Sequence, residues 1–135
     1  MIYRRVKIND WDILFLCNYD VWDMDDILSA LSWADAPEPI HDRVFNNVAT
    51  GAVNEGFCYS NASKRRIVAA MGRSSSGGEF LSSFSHELRH IADDIAVADG
   101  IDLTGEEVAY LTGEIARRLA GQVCRFTCDH CRNND

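Results

Sequence analysis

The order of elements in this sequence predicts an α+β domain. Three observations support that prediction: short alternating or apolar runs in the first half, a loop rich in serine and glycine after them, and two long amphipathic patterns near the end. Strands that are followed by a pair of helices, without regular alternation of the two, are typical of α+β architecture. The 135 residues suit one domain, so we expect a single domain over residues 1–135.

Short strands and short helices are predicted for the first half of the chain. Residues 2–8 alternate and predict a strand, whereas the apolar run 12–18 suits either a buried strand or the start of a helix. Acidic residues at 23–26 precede an apolar pattern and favour a helix N-terminus, and the prolines within 34–39 end that helix. Another helix is predicted over 40–49.

Two strands and two long helices are predicted for the second half. Residues 55–60 and 66–71 have the composition of strands and are separated by a turn-forming segment. The loop rich in serine and glycine follows at 72–78. Apolar residues at helical spacing then predict helices over about 79–98 and 105–121.

Charge and composition argue against several classes of function. A formal net charge of −8 does not suit a protein whose main partner is nucleic acid or an anionic membrane. The N-terminus lacks the apolar region of a signal peptide, and no apolar run approaches the roughly 20 residues of a membrane span. We therefore expect a cytoplasmic protein whose five cysteines are reduced thiols or metal ligands.

The sequence His86-Glu87-Leu88-Arg89-His90 matches the H-E-x-x-H pattern of zinc hydrolases. Histidines four residues apart lie one turn apart on a helix, so both imidazoles can bind one Zn²⁺ at about 2.0–2.1 Å. Glu87 then stands beside the metal, where its carboxylate can deprotonate water. Apolar residues around the motif recur at helical spacing and form one stripe: Phe80, Phe84, Leu88, Ile91 and Ile95.

The third zinc ligand has more than one candidate. A third histidine is absent from the position six residues after the motif, which is Ala96. The other common arrangement takes a glutamate from the following helix. Glu106 is favoured, because Glu107 stands three residues after Thr104 in a capping-box pattern that gives it a structural role. The alternatives to Glu106 are Glu107 and Asp93.

The second long helix has one apolar stripe and one small and polar face. Glu106, Ala109, Tyr110 and Gly113 lie on the latter face, where the small residues would let the two helices approach closely around a metal. The Tyr110 hydroxyl could stabilise an oxyanion opposite the zinc, although a packing role is equally consistent with the pattern. The apolar stripe consists of Val108, Leu111, Ile115 and Leu119.

Two acidic residues follow the motif by about one turn. Asp93 or Asp94 could accept a hydrogen bond from a ligand histidine and fix its tautomer. The alternative is a solvated acidic pair without a role at the metal.

The motif helix and the glutamate-bearing helix together resemble the minimal gluzincins, small zinc-peptidase-like domains found in phages, prophages and bacteria. The resemblance is carried by SHELRHIADDIAVADGIDLTGEEVAYLTGEIARRLA, about a quarter of the chain. It implies that His86 and His90 are zinc ligands, that Glu87 is the general base, and that Glu106 is the third ligand.

The resemblance also implies a zincin-like fold. A short mixed or antiparallel sheet would pack on the active-site helix, and an edge strand would hold an extended substrate by β-augmentation. Residues 66–71 stand at the corresponding place in the order of elements.

Cysteines cluster at the end of the chain. Cys124, Cys128 and Cys131, with His130 between them, have side chains suited to a second, structural zinc. The alternative is a cluster of reduced cysteines without a metal.

Together these features predict a zinc-dependent hydrolase that acts on a peptide or protein substrate with one catalytic Zn²⁺. Two other classes of function stay open. One is a catalytically inactive, zinc-bearing binding or structural protein on a zincin scaffold. The other is a small regulatory adaptor whose cysteine tail contacts a partner.

Overall fold

A computed structural model describes residues 1–52 and 56–123, apart from the side chains of Ile2, Gln122 and Val123, and it confirms the α+β class. The strands in these ranges are β1 (Ile2–Ile8), β2 (Trp11–Tyr19), β3 (Phe57–Asn61) and β4 (Arg66–Gly72). The α-helices are α1 (Met24–Trp33), α2 (Glu38–Ala49), α3 (Gly77–Asp99) and α4 (Glu106–Val123).

The four strands form one mixed sheet in the order β1-β2-β4-β3. β1 pairs antiparallel with β2, β2 pairs parallel with β4, and β4 pairs antiparallel with β3. Asn9 and Asp10 join β1 to β2 with φ values of 49° and 66°, which suits a two-residue hairpin turn. The apolar run that suited either element is therefore the strand β2.

Helices cover both faces of the sheet. α1 and α2 pack with one face, where Leu16 and Val68 are buried, and α3 and α4 pack with the other, where Phe15 and Ile67 are buried. From Ile67 onwards β4 is buried residue after residue, because it is an interior strand with both faces covered.

The boundaries of α3 follow from its sequence. The Ser76 side chain accepts a hydrogen bond from the Glu79 amide and caps the N-terminus, and Gly100 ends the helix in the left-handed conformation with φ of 72°. The predicted apolar stripes of α3 and α4 are both buried. No helix in the described part of the chain is long and apolar enough to cross a membrane.

The predictions for the edge strand and for the start of the last helix are wrong. Residues 66–71 do not form an edge strand, because β4 pairs with β2 on one side and with β3 on the other; β3 is the edge strand beside α3. Thr104 does not stand directly before α4, which begins at Glu106, and its hydroxyl donates to the carboxylate of Asp102 instead.

Candidate metal centre

His86 and His90 lie one turn apart on the exposed side of α3, as their spacing predicts. Their Nε2 atoms are 3.0 Å apart, and the rings meet edge to face with centroids 4.6 Å apart. Two imidazoles on one tetrahedral Zn²⁺ would place these nitrogens about 3.3–3.4 Å apart, given bonds of about 2.0–2.1 Å. The two nitrogens therefore converge on one point with nearly the spacing that a shared metal requires.

Glu87 is buried, whereas the two histidines beside it are exposed. Its side chain is 4% exposed and is directed towards Gly56, the residue before β3. A Cβ atom added to Gly56 would overlap Glu87 Oε1 and would lie 2.7 Å from the carbonyl oxygen of Ala70. The glycine therefore leaves the space that the carboxylate needs beside the sheet.

The Glu87 carboxylate lacks the partners that a buried acid usually has. Its Oε2 atom is buried and accepts no hydrogen bond from any residue that the structure describes. Burial raises the pKa of Glu87 above its ordinary value, while the neighbouring His86 and His90 oppose that rise. A buried carboxylate without partners is a recognised sign of a functional site, because folding alone gives no reason to keep it.

Two adjoining cavities, which we call the cleft, open along this side of α3. The larger, of about 350 Å³, is lined by Gly56, Ser82, Ser83, His86 and Glu87. The smaller, of about 180 Å³, shares Gly56, His86 and Glu87 with it. His86 and the buried carboxylate therefore lie where the two cavities meet, and His90 lines the smaller cavity. The additional lining residues of the smaller cavity are Phe57, Cys58, His90 and Asp94.

The sequence places Asp94 one turn beyond His90 but does not place Gly56 or Cys58 at the site, and the partner of Asp94 is Cys58 instead of a histidine. Cys58 packs with the core on the α3 side of β3, and its thiol donates to Asp94 Oδ2 across 3.8 Å. Burial, followed by the negative charges of Asp94 and Glu87, raises the pKa of the Cys58 thiol well above its usual range. A tertiary contact between β3 and α3 creates this grouping, and the one sequence signal for it is the two-residue periodicity of β3.

α4 holds its candidate residues away from the cleft. It packs against α3 and β1, whereas the cleft lies on the flank of α3 that faces β3, at the opposite edge of the sheet. Glu106 and Glu107 are exposed, and Tyr110 is 76% exposed. The predicted close approach of the helices at Gly113 is wrong, because a Cβ atom there would contact nothing within 4 Å.

Within residues 1–52 and 56–123, no three His, Cys, Asp or Glu side chains form a group able to hold a metal ion. His86, His90 and Glu87 do line one cavity, but Glu106 and Glu107 do not reach it. Asp93 is ion-paired with Arg89 at 2.8 Å.

The candidate second metal site, at Cys124, Cys128, His130 and Cys131, lies outside the described residues.

Comparison of the chain with protein-family models, with curated proteins and with solved structures gives no match. The functional assignment therefore depends on the chemistry of the residues in the cleft.

Proposed function

We propose that this chain is a zinc-dependent hydrolase that cleaves peptide bonds, with His86 and His90 as metal ligands and Glu87 as the general base. The observation that supports the proposal most is the convergence of the two Nε2 atoms, 3.0 Å apart, in a cavity that is also lined by a buried carboxylate with no hydrogen-bond partner at Oε2 among the described residues. A surface helix selected for stability alone has no need of either feature.

The donor set suits zinc, since imidazole nitrogen is one of its preferred ligands. Bound zinc would supply Lewis-acid chemistry, lowering the pKa of water towards about 7 and polarising a carbonyl group. Glu87 would accept the proton from water and later deliver it to the leaving amine. Burial raises the pKa of Glu87 in the metal-free protein, which is the direction that strengthens a general base.

The edge strand beside the cleft supports a peptide as the substrate. β3 lies at the end of the sheet order, and its outer edge pairs with no strand in the described part of the chain. An extended peptide could add to that edge through main-chain hydrogen bonds. Its backbone would then run past Gly56, next to the Glu87 carboxylate.

The third ligand stays a proposal. Glu106 is favoured by the resemblance to gluzincins, and Glu107 and Asp93 are its alternatives. Recruiting Glu106 would need α4 to present its exposed face to the histidines. Zinc content measured for Glu106→Gln, Glu107→Gln and Asp93→Asn would identify the ligand, since the true ligand should lose affinity most strongly.

A zinc-bearing binding protein without catalytic activity is the second candidate function. The specific observation in its favour is that the described residues bring two histidines, and no third metal-binding side chain, to the site, whereas a catalytic zinc usually has three protein ligands.

Metal analysis of the purified full chain tests the proposal first. We expect the zinc bound at the helix to be lost in His86→Ala and kept in His41→Ala, a control on α2 away from the cleft. Zinc-loaded wild type should then cleave peptides in a mixed library. Equal zinc content in His86→Ala and His41→Ala would contradict the metal centre. If His86→Ala loses zinc but the zinc-loaded wild type cleaves no peptide, the binding protein is favoured.

A further inference from the structure

A second acidic side chain lies in the cleft and has no role in the proposed reaction. Asp94 is half-buried and lines the smaller cavity one turn beyond His90. The hydrogen bond that its carboxylate accepts comes from the Cys58 thiol across 3.8 Å, and a thiol is a weak donor. Among the described residues no cation pairs with Asp94, whereas its neighbour Asp93 is held by Arg89 at 2.8 Å.

The surroundings of Asp94 make its negative charge available to a ligand. Neither cavity of the cleft is lined by a lysine or arginine among the described residues. The whole chain carries a net charge of −8, which attracts cationic partners over distances of about a Debye length. A half-buried carboxylate also interacts more strongly with a cation than an exposed one does, because less water screens it.

We infer that Asp94 selects substrates that carry a lysine or arginine side chain close to the bond to be cleaved. This inference depends on the proposed function, since it names the substrate class of the same cleft. One helical turn, about 5.4 Å, separates Asp94 from His90 along the axis of α3. Successive residues of an extended peptide are about 3.3 Å apart, so the selected side chain belongs to a residue close in sequence to the cleaved bond.

The cavity suits the whole basic side chain and not its charge alone. Cys58 packs on the core side of the same cavity as a small, uncharged thiol. The aliphatic stem of a lysine or arginine can lie along such a surface while its charged end reaches a carboxylate. A neutral substrate side chain would leave Asp94 with the Cys58 thiol as its partner, and an acidic substrate side chain would be repelled by the Asp94 carboxylate.

A digest of a peptide library tests the inference. Zinc-loaded full-length protein is incubated with a mixture of peptides derived from a whole proteome, and the cleavage sites are identified by mass spectrometry. We expect lysine and arginine to be enriched near the cleaved bond for the wild type. Two peptides are then compared that differ only at the enriched position, one with lysine and one with norleucine. Asp94→Asn should reduce the ratio of kcat/KM for the lysine peptide to kcat/KM for the norleucine peptide about tenfold.

Two controls separate a local effect from a general one. Asp42→Asn removes the same charge from an exposed position on α2, and it should keep the preference for the lysine peptide. Zinc content is measured in every variant, because loss of zinc in Asp94→Asn would give Asp94 a role in holding the metal, as a ligand or as the hydrogen-bond partner of a ligand histidine, and would overturn the inference. An unchanged ratio in that variant with full zinc content would overturn it as well.

Failure of the proposed function gives a different result from failure of this inference. If zinc-loaded protein cleaves no peptide, the hydrolase is contradicted, and the same library is passed over the immobilised protein instead. Retention of lysine and arginine peptides by the wild type and not by Asp94→Asn would support selection by the cleft without catalysis. Equal retention by the two proteins would reject it.

Discussion

Two carboxylates of α3, Glu87 and Asp99, have opposite environments. Asp99 accepts a hydrogen bond from Trp11 Nε1 at 3.1 Å and pairs with the Arg65 guanidinium at 2.7 Å. These contacts, that of Arg65 first, lower the pKa of Asp99 below its ordinary value. Glu87 is more deeply buried, has no partner for Oε2 among the described residues, and has a pKa raised by burial.

Asp99 is a carboxylate that stabilises the fold, whereas Glu87 contributes no such stabilising contact through Oε2 in the described structure. Arg65 also donates to the carbonyl of Asn9 and stacks on Trp11, with its guanidinium 4.8 Å from the ring centroid. The C-terminal end of α3 is thus tied to the β1–β2 hairpin and to the loop before β4. Glu87 makes no such connection, and a buried acid of that kind is retained in proteins for its chemistry.

The largest expected effect is on turnover. Glu87→Gln keeps the shape of the side chain and removes its capacity to accept a proton, so we expect kcat to fall by roughly 10²–10⁴-fold with zinc retained. The free energy of unfolding of the metal-free protein should not fall, because the amide replaces a buried carboxylate that has no partner at Oε2 in the described structure.

Steady-state kinetics and urea denaturation of the same preparation measure both quantities. Retained turnover in Glu87→Gln would rule out Glu87 as the general base. A large loss of stability would instead mean that Glu87 belongs to the same class as Asp99.

The next effect concerns the space beside Glu87. Gly56→Ala would place a Cβ atom against Glu87 Oε1 and the Ala70 carbonyl, so we expect a loss of roughly 1–3 kcal/mol in the free energy of unfolding and lower kcat/KM. Gly113→Ala is the matched control, since its Cβ atom meets open space within α4 and should add about 0.5–1 kcal/mol of stability. If Gly56→Ala and Gly113→Ala changed the free energy of unfolding by the same amount, Gly56 would not be what leaves space for the Glu87 carboxylate.

Local patterns predicted the elements of the fold well, and one part of the site. The spacing of Phe80, Phe84 and Leu88 marks the buried face of α3 without reference to any other element. The same spacing places His86 and His90 on its exposed side. These features depend on contacts within one helix, and helical periodicity determines them.

Features that depend on the pairing of distant segments were not predictable. Cys58 and Asp94 meet because β3 is the edge strand next to α3, and the parallel pairing of β2 with β4 decides which strand lies at that edge. No pattern inside β4 indicates that its two edges are both paired. The direction of Glu106 depends in the same way on how α4 packs against β1.

The smallest effect is expected at the other carboxylate. Asp99→Asn removes the ion pair with Arg65 and weakens the bond from Trp11, so we expect the free energy of unfolding to fall by about 1 kcal/mol. Turnover and zinc content should stay at their wild-type values, because Asp99 is at the end of α3 distant from the motif. A loss of activity with unchanged stability would contradict the division between the two carboxylates.

The pH dependence of the stability difference between the wild type and Asp99→Asn identifies the cause of that difference. The folded-state pKa of Asp99 is lowered, so its contribution is fully present above the unfolded value of about 3.9 and disappears as the pH falls through the folded-state value. Urea denaturation of the wild type and Asp99→Asn between pH 7 and pH 3 should therefore give curves that converge only below about pH 4. If the difference in unfolding free energy between the two proteins stayed constant down to pH 3, the loss would come from packing around Trp11, because packing does not titrate. The charge of Asp99 would then have no part in holding α3 to the hairpin.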